Sequence, residues 1–301
     1  MYHGIPYYEL LKKVRSDVNE ETATFFSDEE IQRWLNESML IIADHAGYPL
    51  KKLQLNLVDG TESYRADEEF YAVEHAYYVK SSSEKIPLTL IDLMMDDEIT
   101  GQDKTTEGDP AHYFLRGNTI YLRPVPDANR TNGLEIWAKC YPARMFRNYS
   151  TGTVSVVNGD QTVTGAGTSW SSFLNAYQGA VFGIGTDPTI WYEIGSIAND
   201  TSLELLDTYP GPSASAQSYI ISDVPDILPA MHSYLIDYAV ARCFGKERTT
   251  IGLSQARMKA FEYGVPKSRI AQLRKDGEDR IHRIRDRDSY PSRRHDKFGN
   301  L

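Results

Sequence analysis

Six arginines stand between positions 280 and 294: Arg280, Arg283, Arg285, Arg287, Arg293 and Arg294. A guanidinium is a planar fork of donors that fits carboxylates and phosphates alike. Arg269 and Arg274 precede them on the same segment, and Tyr290 and Phe298 supply apolar anchors for a contact. Three readings of this cluster are open: carboxylates on a partner protein, DNA phosphates, or a solvated charged end. Asp279, Asp286 and Asp288 lie among the arginines and would each repel a phosphate backbone. That interleaving favours a protein partner.

The rest of the chain offers little for catalysis. Its histidines are scattered, Asp44-His45 is not a ligand pair, and no H-E-x-x-H occurs. "GAGTSW" and "FGIGTD" have glycines without the lysine of a phosphate loop, and there is no G-x-S-x-G elbow. Carboxylate pairs can be picked anywhere among 42 acids, so they support no glycosidase. The expectation is no enzyme, no cofactor and no metal. Asp96, Asp97 and Glu98 read as a charge cluster at a helix end rather than a cation site. Trp170, Trp191 and Tyr192 could form a sugar platform, but packing inside a small β-domain is the favoured reading.

Placing these residues requires elements. With 301 residues the chain can bury two cores. The formal charge is −10, yet residues 267–297 carry 11 Lys/Arg against 6 Asp/Glu. An acidic body with a basic tail implies that the two meet different surfaces. Cys140 and Cys243 are expected as small core residues, not a bridge. No signal sequence or membrane-length apolar run is present, which points to synthesis in the cytoplasm and no membrane partner.

"FFSDEEIQRWLNESMLIIADHAGYP" predicts a helix opened by a Ser27/Glu30 capping box and closed at Gly47. A shorter helix precedes it in "PYYELLKKVRSDV". From Leu53 the period becomes two, through "FYAVEHAYYV", a hairpin about Gly117-Asn118 and "LEIWAKCY". "TLIDLMMDDEI" reads as a short helix. Residues 150–222 form a β-rich module with a turn at Asn158-Gly159 whose short strands suggest a small barrel or sandwich. Helix returns in "VPDILPAMHSYLIDYAVARCFGK", stopping at Gly245, and in "SQARMKAFEYG", checked at Gly264-Val265-Pro266. Beyond it, Ile270, Leu273, Ile281 and Ile284 make a thin stripe, too narrow to anchor a helix in a globular core yet wide enough to lie in a partner's groove.

The order of "SDEEIQRWLNES", "YFLRGNTIYLRPVPD", "LEIWAKCYPARM" and "VPDILPAMHSYLIDYAVARCF" resembles the head-to-tail adaptor proteins of short-tailed bacteriophages. The "GTVSVVNGDQTVTGAGTSW" module looks like an addition to that plan. The resemblance implies an α+β fold: a helical-bundle adaptor core with a strand layer, an inserted small all-β domain, and an extended C-terminal tail. The divisions are 1–149 and 223–264 for the core, 150–222 for the inserted domain and 265–301 for the extension. It further implies a homo-oligomeric ring, a dodecamer, in the neck of the virion. The ring docks on the portal protein through the extension and meets a tail, nozzle or fibre protein on its opposite face. Genomic DNA passes through its lumen without specific binding. The implied role is tail attachment and the retention and ejection of the genome. A carbohydrate-binding tail or collar component acting through residues 150–222 is the alternative, and a DNA-binding completion factor is a third reading.

Overall fold

The computed structural model describes residues 4–47, 49–92, 96, 106–146, 148–172, 176–247 and 250–276. Its body is mostly β, with sixteen strands in three sheets among the described residues. The expected helical-bundle core is therefore wrong. Helices α1 (Tyr7–Asp17), α2 (Asp28–Ala46), α3 (His232–Glu247) and α4 (Ile251–Asp276) make one part of a larger β structure.

The helices close on themselves. Leu10 and Val14 of α1, Ile31, Leu35 and Met39 of α2, Leu235 and Ala239 of α3, and Phe261 and Val265 of α4 share one core. The predicted capping box is present: Ser27 accepts from the Glu30 backbone N–H, and the Glu30 side chain accepts from the Ser27 N–H. Gly47 ends α2 at φ +103°, where a side chain would be strained.

The strands find cover elsewhere. β1 (Leu50–Leu57), β3 (Phe70–Ser81), β4 (Glu84–Pro87) and β8 (Arg130–Cys140) form a sheet ordered β1-β8-β3-β4. β2 (Ser63–Arg65), β5 (Thr89–Leu90), β6 (His112–Arg116) and β7 (Thr119–Arg123) form a second, ordered β2-β7-β6-β5. Alternation puts Leu134, Ile136, Ala138 and Cys140 on one face of β8. They pack with Leu57, Tyr113, Ile120 and Leu122 into a core shared by both sheets. These two sheets thus form a β-sandwich beside a helical layer, because each layer consumes its own apolar face. Thr89–Leu90 is a strand parallel to β6, not the start of a helix. Most of the rest of the expected helix lies outside the described residues.

The third sheet is built from residues 148–222. Its order is β15-β10-β11-β14-β13-β12-β16-β9, for β9 (Asn148–Tyr149), β10 (Thr153–Val156), β11 (Thr162–Ala166), β12 (Val181–Ile184), β13 (Tyr192–Asn199), β14 (Ser202–Leu205), β15 (Ala214–Gln217) and β16 (Tyr219–Ser222). β10 and β11 pair antiparallel through a turn closed by the Asp160 N–H on the Val157 carbonyl at 3.1 Å. Gly159 alone takes the positive φ there, +80°, while Asn158 does not. This sheet has its own core, centred on Trp170, Phe182, Tyr219 and Val163.

Candidate assembly surfaces

The basic segment begins on α4, and the fold explains how that helix is held. It runs without interruption through Gly264-Val265-Pro266 to Asp276, against the expected check. Pro266 lacks the amide hydrogen of a helix interior. Phe261 and Val265 nevertheless hold the turn by burial against α3, with the rings of Phe261 and Tyr238 5.1 Å apart. Gly264 is what lets the helices approach: a Cβ there would lie 2.1 Å from the Tyr234 ring. Arg257 ties α4 to both neighbours, donating to Asp17 at 2.7 Å and Asp237 at 2.8 Å. Arg269 and Arg274 lie on this helix. Arg280, Arg283, Arg285, Arg287, Tyr290, Arg293, Arg294 and Phe298 fall outside the described residues.

A second surface follows α2. The strap at 141–146 is pinned to it by Asn36, whose side chain donates to the Met145 carbonyl at 2.9 Å and accepts from the Met145 N–H at 2.8 Å. Between strap and helix runs an open groove of about 530 Å³, continued by one of about 440 Å³. Leu40, Tyr141 and Phe146 lie exposed along it, and Tyr71 meets the edge of Tyr141 at 6.4 Å. Glu29, Glu37, Glu68 and Glu69 line it together with Lys51, Arg33 and Arg144.

The loop before α2 is set by charge. Glu20 gathers the Thr24 hydroxyl and the backbone N–H groups of Thr24, Phe25 and Phe26. These donors, the Thr24 side chain first, hold its carboxyl down to about 2. Lys246 of α3 closes the corner, bonding both Glu30 oxygens at 2.8 Å and lying 4.9 Å above the Phe25 ring.

Three charged groups that the sequence reading overlooked or misplaced turn out to be interior. Asp96 is buried and accepts from the Arg123 Nε at 2.7 Å, while Arg123 also reaches Glu62 at 2.7 Å. Asp96 is therefore half of an inner ion pair, not one of a solvated cluster; Asp97 and Glu98 lie outside the described residues. Glu135 is 4 % exposed, and both Lys52 and Lys85 reach its Oε2, at 2.9 and 2.8 Å. Lys85 first, then Lys52 and the Trp137 N–H, lower its carboxyl to about 2. A β-strand alternation does not distinguish an outward Glu left in water from one clamped by cross-strand lysines.

Glu135 carries a prediction. Its folded value lies below the ordinary 4.5, so its stabilisation is full above that value and disappears as pH falls through about 2. Because the two lysines are partly exposed, Glu135→Gln should cost only about 1–3 kcal/mol at neutral pH. Denaturant unfolding should show this loss shrinking below pH 4; a loss independent of pH would contradict the pairing.

The aromatic residues weighed as a sugar platform are inside. Trp170, Trp191 and Tyr192 are 0, 5 and 6 % exposed. Trp170 and Tyr192 pack in the core of the β-module, as favoured, whereas Trp191 packs outside that core, with Val181, Ile220 and Tyr8 of α1, and the carbohydrate alternative loses the residues it rested on. Cys140 and Cys243 are free and buried, as expected. No helix among the described residues is long and apolar enough to cross a membrane.

What these surfaces offer is contact area: open grooves, rims of mixed charge, and a rooted helix leading into a basic segment. They are the equipment of a protein held by its neighbours. The chain belongs to the SU10 adaptor protein family, whose sequence model matches residues 5–288. It is a structural adaptor protein of a bacteriophage, associated with portal and tail components at the virion neck. Comparison with curated proteins gives no match.

Proposed function

We propose that the chain is one wedge of a closed ring, a dodecamer, that docks on the portal of a short-tailed phage and lengthens the DNA channel. Residues 267–301 enter the portal, with the arginines pairing to portal carboxylates and Tyr290 and Phe298 as anchors. A tail, nozzle or fibre protein binds the opposite face, and the ring serves genome retention and ejection. Head-to-tail contacts between copies close the ring. Residues 150–222 are an inserted unit that faces outward or tailward.

The observation that carries this reading is the unbroken α4. Anchored by Phe261, Val265 and Arg257, it carries Arg269 and Arg274 in helical backbone at the start of the basic segment. Deleting residues 267–301 keeps Phe261 and Val265, the residues of α4 packed into the helical core among those described, so the chain should fold as before and lose portal binding. A pull-down with purified portal measures it. Full-affinity binding by the folded, truncated chain would reject the docking assignment.

A further inference from the structure

We infer that residues 148–222 are a hinged arm, latched to α1 through the loop at 186–191 and able to swing clear when that latch opens. The inference depends neither on the ring nor on portal docking. The arm has its own core, separate from that of the helices. Its described strands pair only within their own sheet. The chain enters and leaves it side by side, at β9 and β16, where Asn148 pairs with Ser222. Next to that pair, the Asp223 carboxylate accepts from the Phe146 N–H, and the Asp223 carbonyl accepts from the Tyr7 N–H at 2.9 Å. Two adjacent strands make a hinge, because a body with its own core turns about them without opening that core.

Away from the hinge, the loop at 186–191 meets α1. The Tyr8 ring lies 5.9 Å from that of Trp191, and the Tyr8 hydroxyl donates to the Thr186 carbonyl at 3.1 Å. Trp191 is buried here in a small cluster with Val181 and Ile220. Lys12 bonds both oxygens of Asp187, at 2.7 and 2.6 Å. Both side chains of that pair are more than half exposed, so it holds the loop only weakly. The Trp191 Nε1 is buried without an acceptor among the described residues. Docking bears that cost, and release removes it because water then reaches the indole N–H. An open pocket of about 250 Å³ lies against Trp191, between Ile5, Pro6 and Glu9 on one side and Thr189 and Ile190 on the other. A small contact with an unsatisfied donor and a solvent-filled margin is a latch poised to open. Opening it presents the Tyr8 and Trp191 faces to a neighbouring chain.

The test is a distance between arm and helices in the full-length protein. Spin labels are placed through Glu204→Cys on the arm and Lys259→Cys on α4, both exposed positions, while the native cysteines are buried. The parent pair should give one dominant separation. Tyr8→Ala removes the ring contact and the Thr186 hydrogen bond, and should raise a second separation about tenfold in population. Lys12→Glu sets like charges against Asp187 and should raise it roughly threefold; adding Asp187→Lys should return it to the parent level. That pair is exposed and touches no core, so it decides the matter even where Tyr8→Ala loosens α1. Circular dichroism checks that each variant is folded. An unchanged single separation in folded Tyr8→Ala and Lys12→Glu would overturn the inference, as would a gain in Lys12→Glu that Asp187→Lys does not reverse.

Discussion

Trp170→Ala should remove about 3–5 kcal/mol of stability, with the loss confined to the eight-stranded sheet. The indole is fully buried, its Nε1 donates to the Tyr219 hydroxyl at 3.0 Å, and that hydroxyl donates to the Thr151 carbonyl at 2.6 Å. The two rings meet edge to face, with centres 5.9 Å apart. Truncation would open a cavity and leave the Tyr219 hydroxyl one partner short, so both costs fall on the same place. The core around Trp170 is separate from those of the helices and of the sandwich. Hydrogen exchange should therefore rise across residues 148–222 while α2 and α3 keep their protection. Portal binding, if the C-terminal segment carries it, should survive. A loss below about 1 kcal/mol would contradict the packing argument.

The second large effect belongs to His232. It is fully buried at the start of α3; its Nδ1 accepts from the Ile5 N–H at 2.9 Å and its Nε2 faces the Ile227 carbonyl at 3.2 Å. That pattern requires the neutral ring with its proton on Nε2. Burial lowers its pKa, against the raising effect of the hydrogen bonds with Ile227 and Ile5. The unfolded chain takes up the proton first, so stability is full above the ordinary value of 6.5 and falls as pH drops towards the lower folded value. A proton on Nδ1 would confront the Ile5 N–H and release the N-terminal segment from α3. His232→Ala should cost about 2–4 kcal/mol at neutral pH, from an unsatisfied amide and a cavity. His232→Asn can keep an acceptor for Ile5 but cannot titrate. Its unfolding free energy should lack the part of the wild-type slope between pH 7 and 5 that the histidine contributes. An unchanged slope in that variant would assign the pH dependence elsewhere.

Local elements were legible in the sequence wherever one short-range rule governed them. Ser27 and Glu30 specify a helix start because the donors they satisfy lie within one turn. Leu134, Ile136, Ala138 and Cys140 reveal an inward face because alternation is a property of the strand itself. The Gly117 turn and the Val154–Val163 hairpin were legible for the same reason. The candidate surfaces were less so. The arginine cluster is plain in composition, but Lys52, Lys85 and Glu135 come from β1, β4 and β8 and meet only through the sheet.

By itself, the sequence determined most element types and turns, the buried stripes and the charge contrast between body and tail, since each follows from neighbours along the chain. Tertiary structure decided the rest. It paired two sheets into a sandwich that a bundle-centred reading had missed, because an apolar strand face does not say what covers it. It carried α4 through Pro266, since burial of Phe261 and Val265 and the space left by Gly264 outweighed the local preference to break. It also turned Asp96 and Glu135 from surface charges into partners of Arg123, Lys52 and Lys85. Whether a charge stays in water depends on what the fold brings against it, and those groups come from distant parts of the chain.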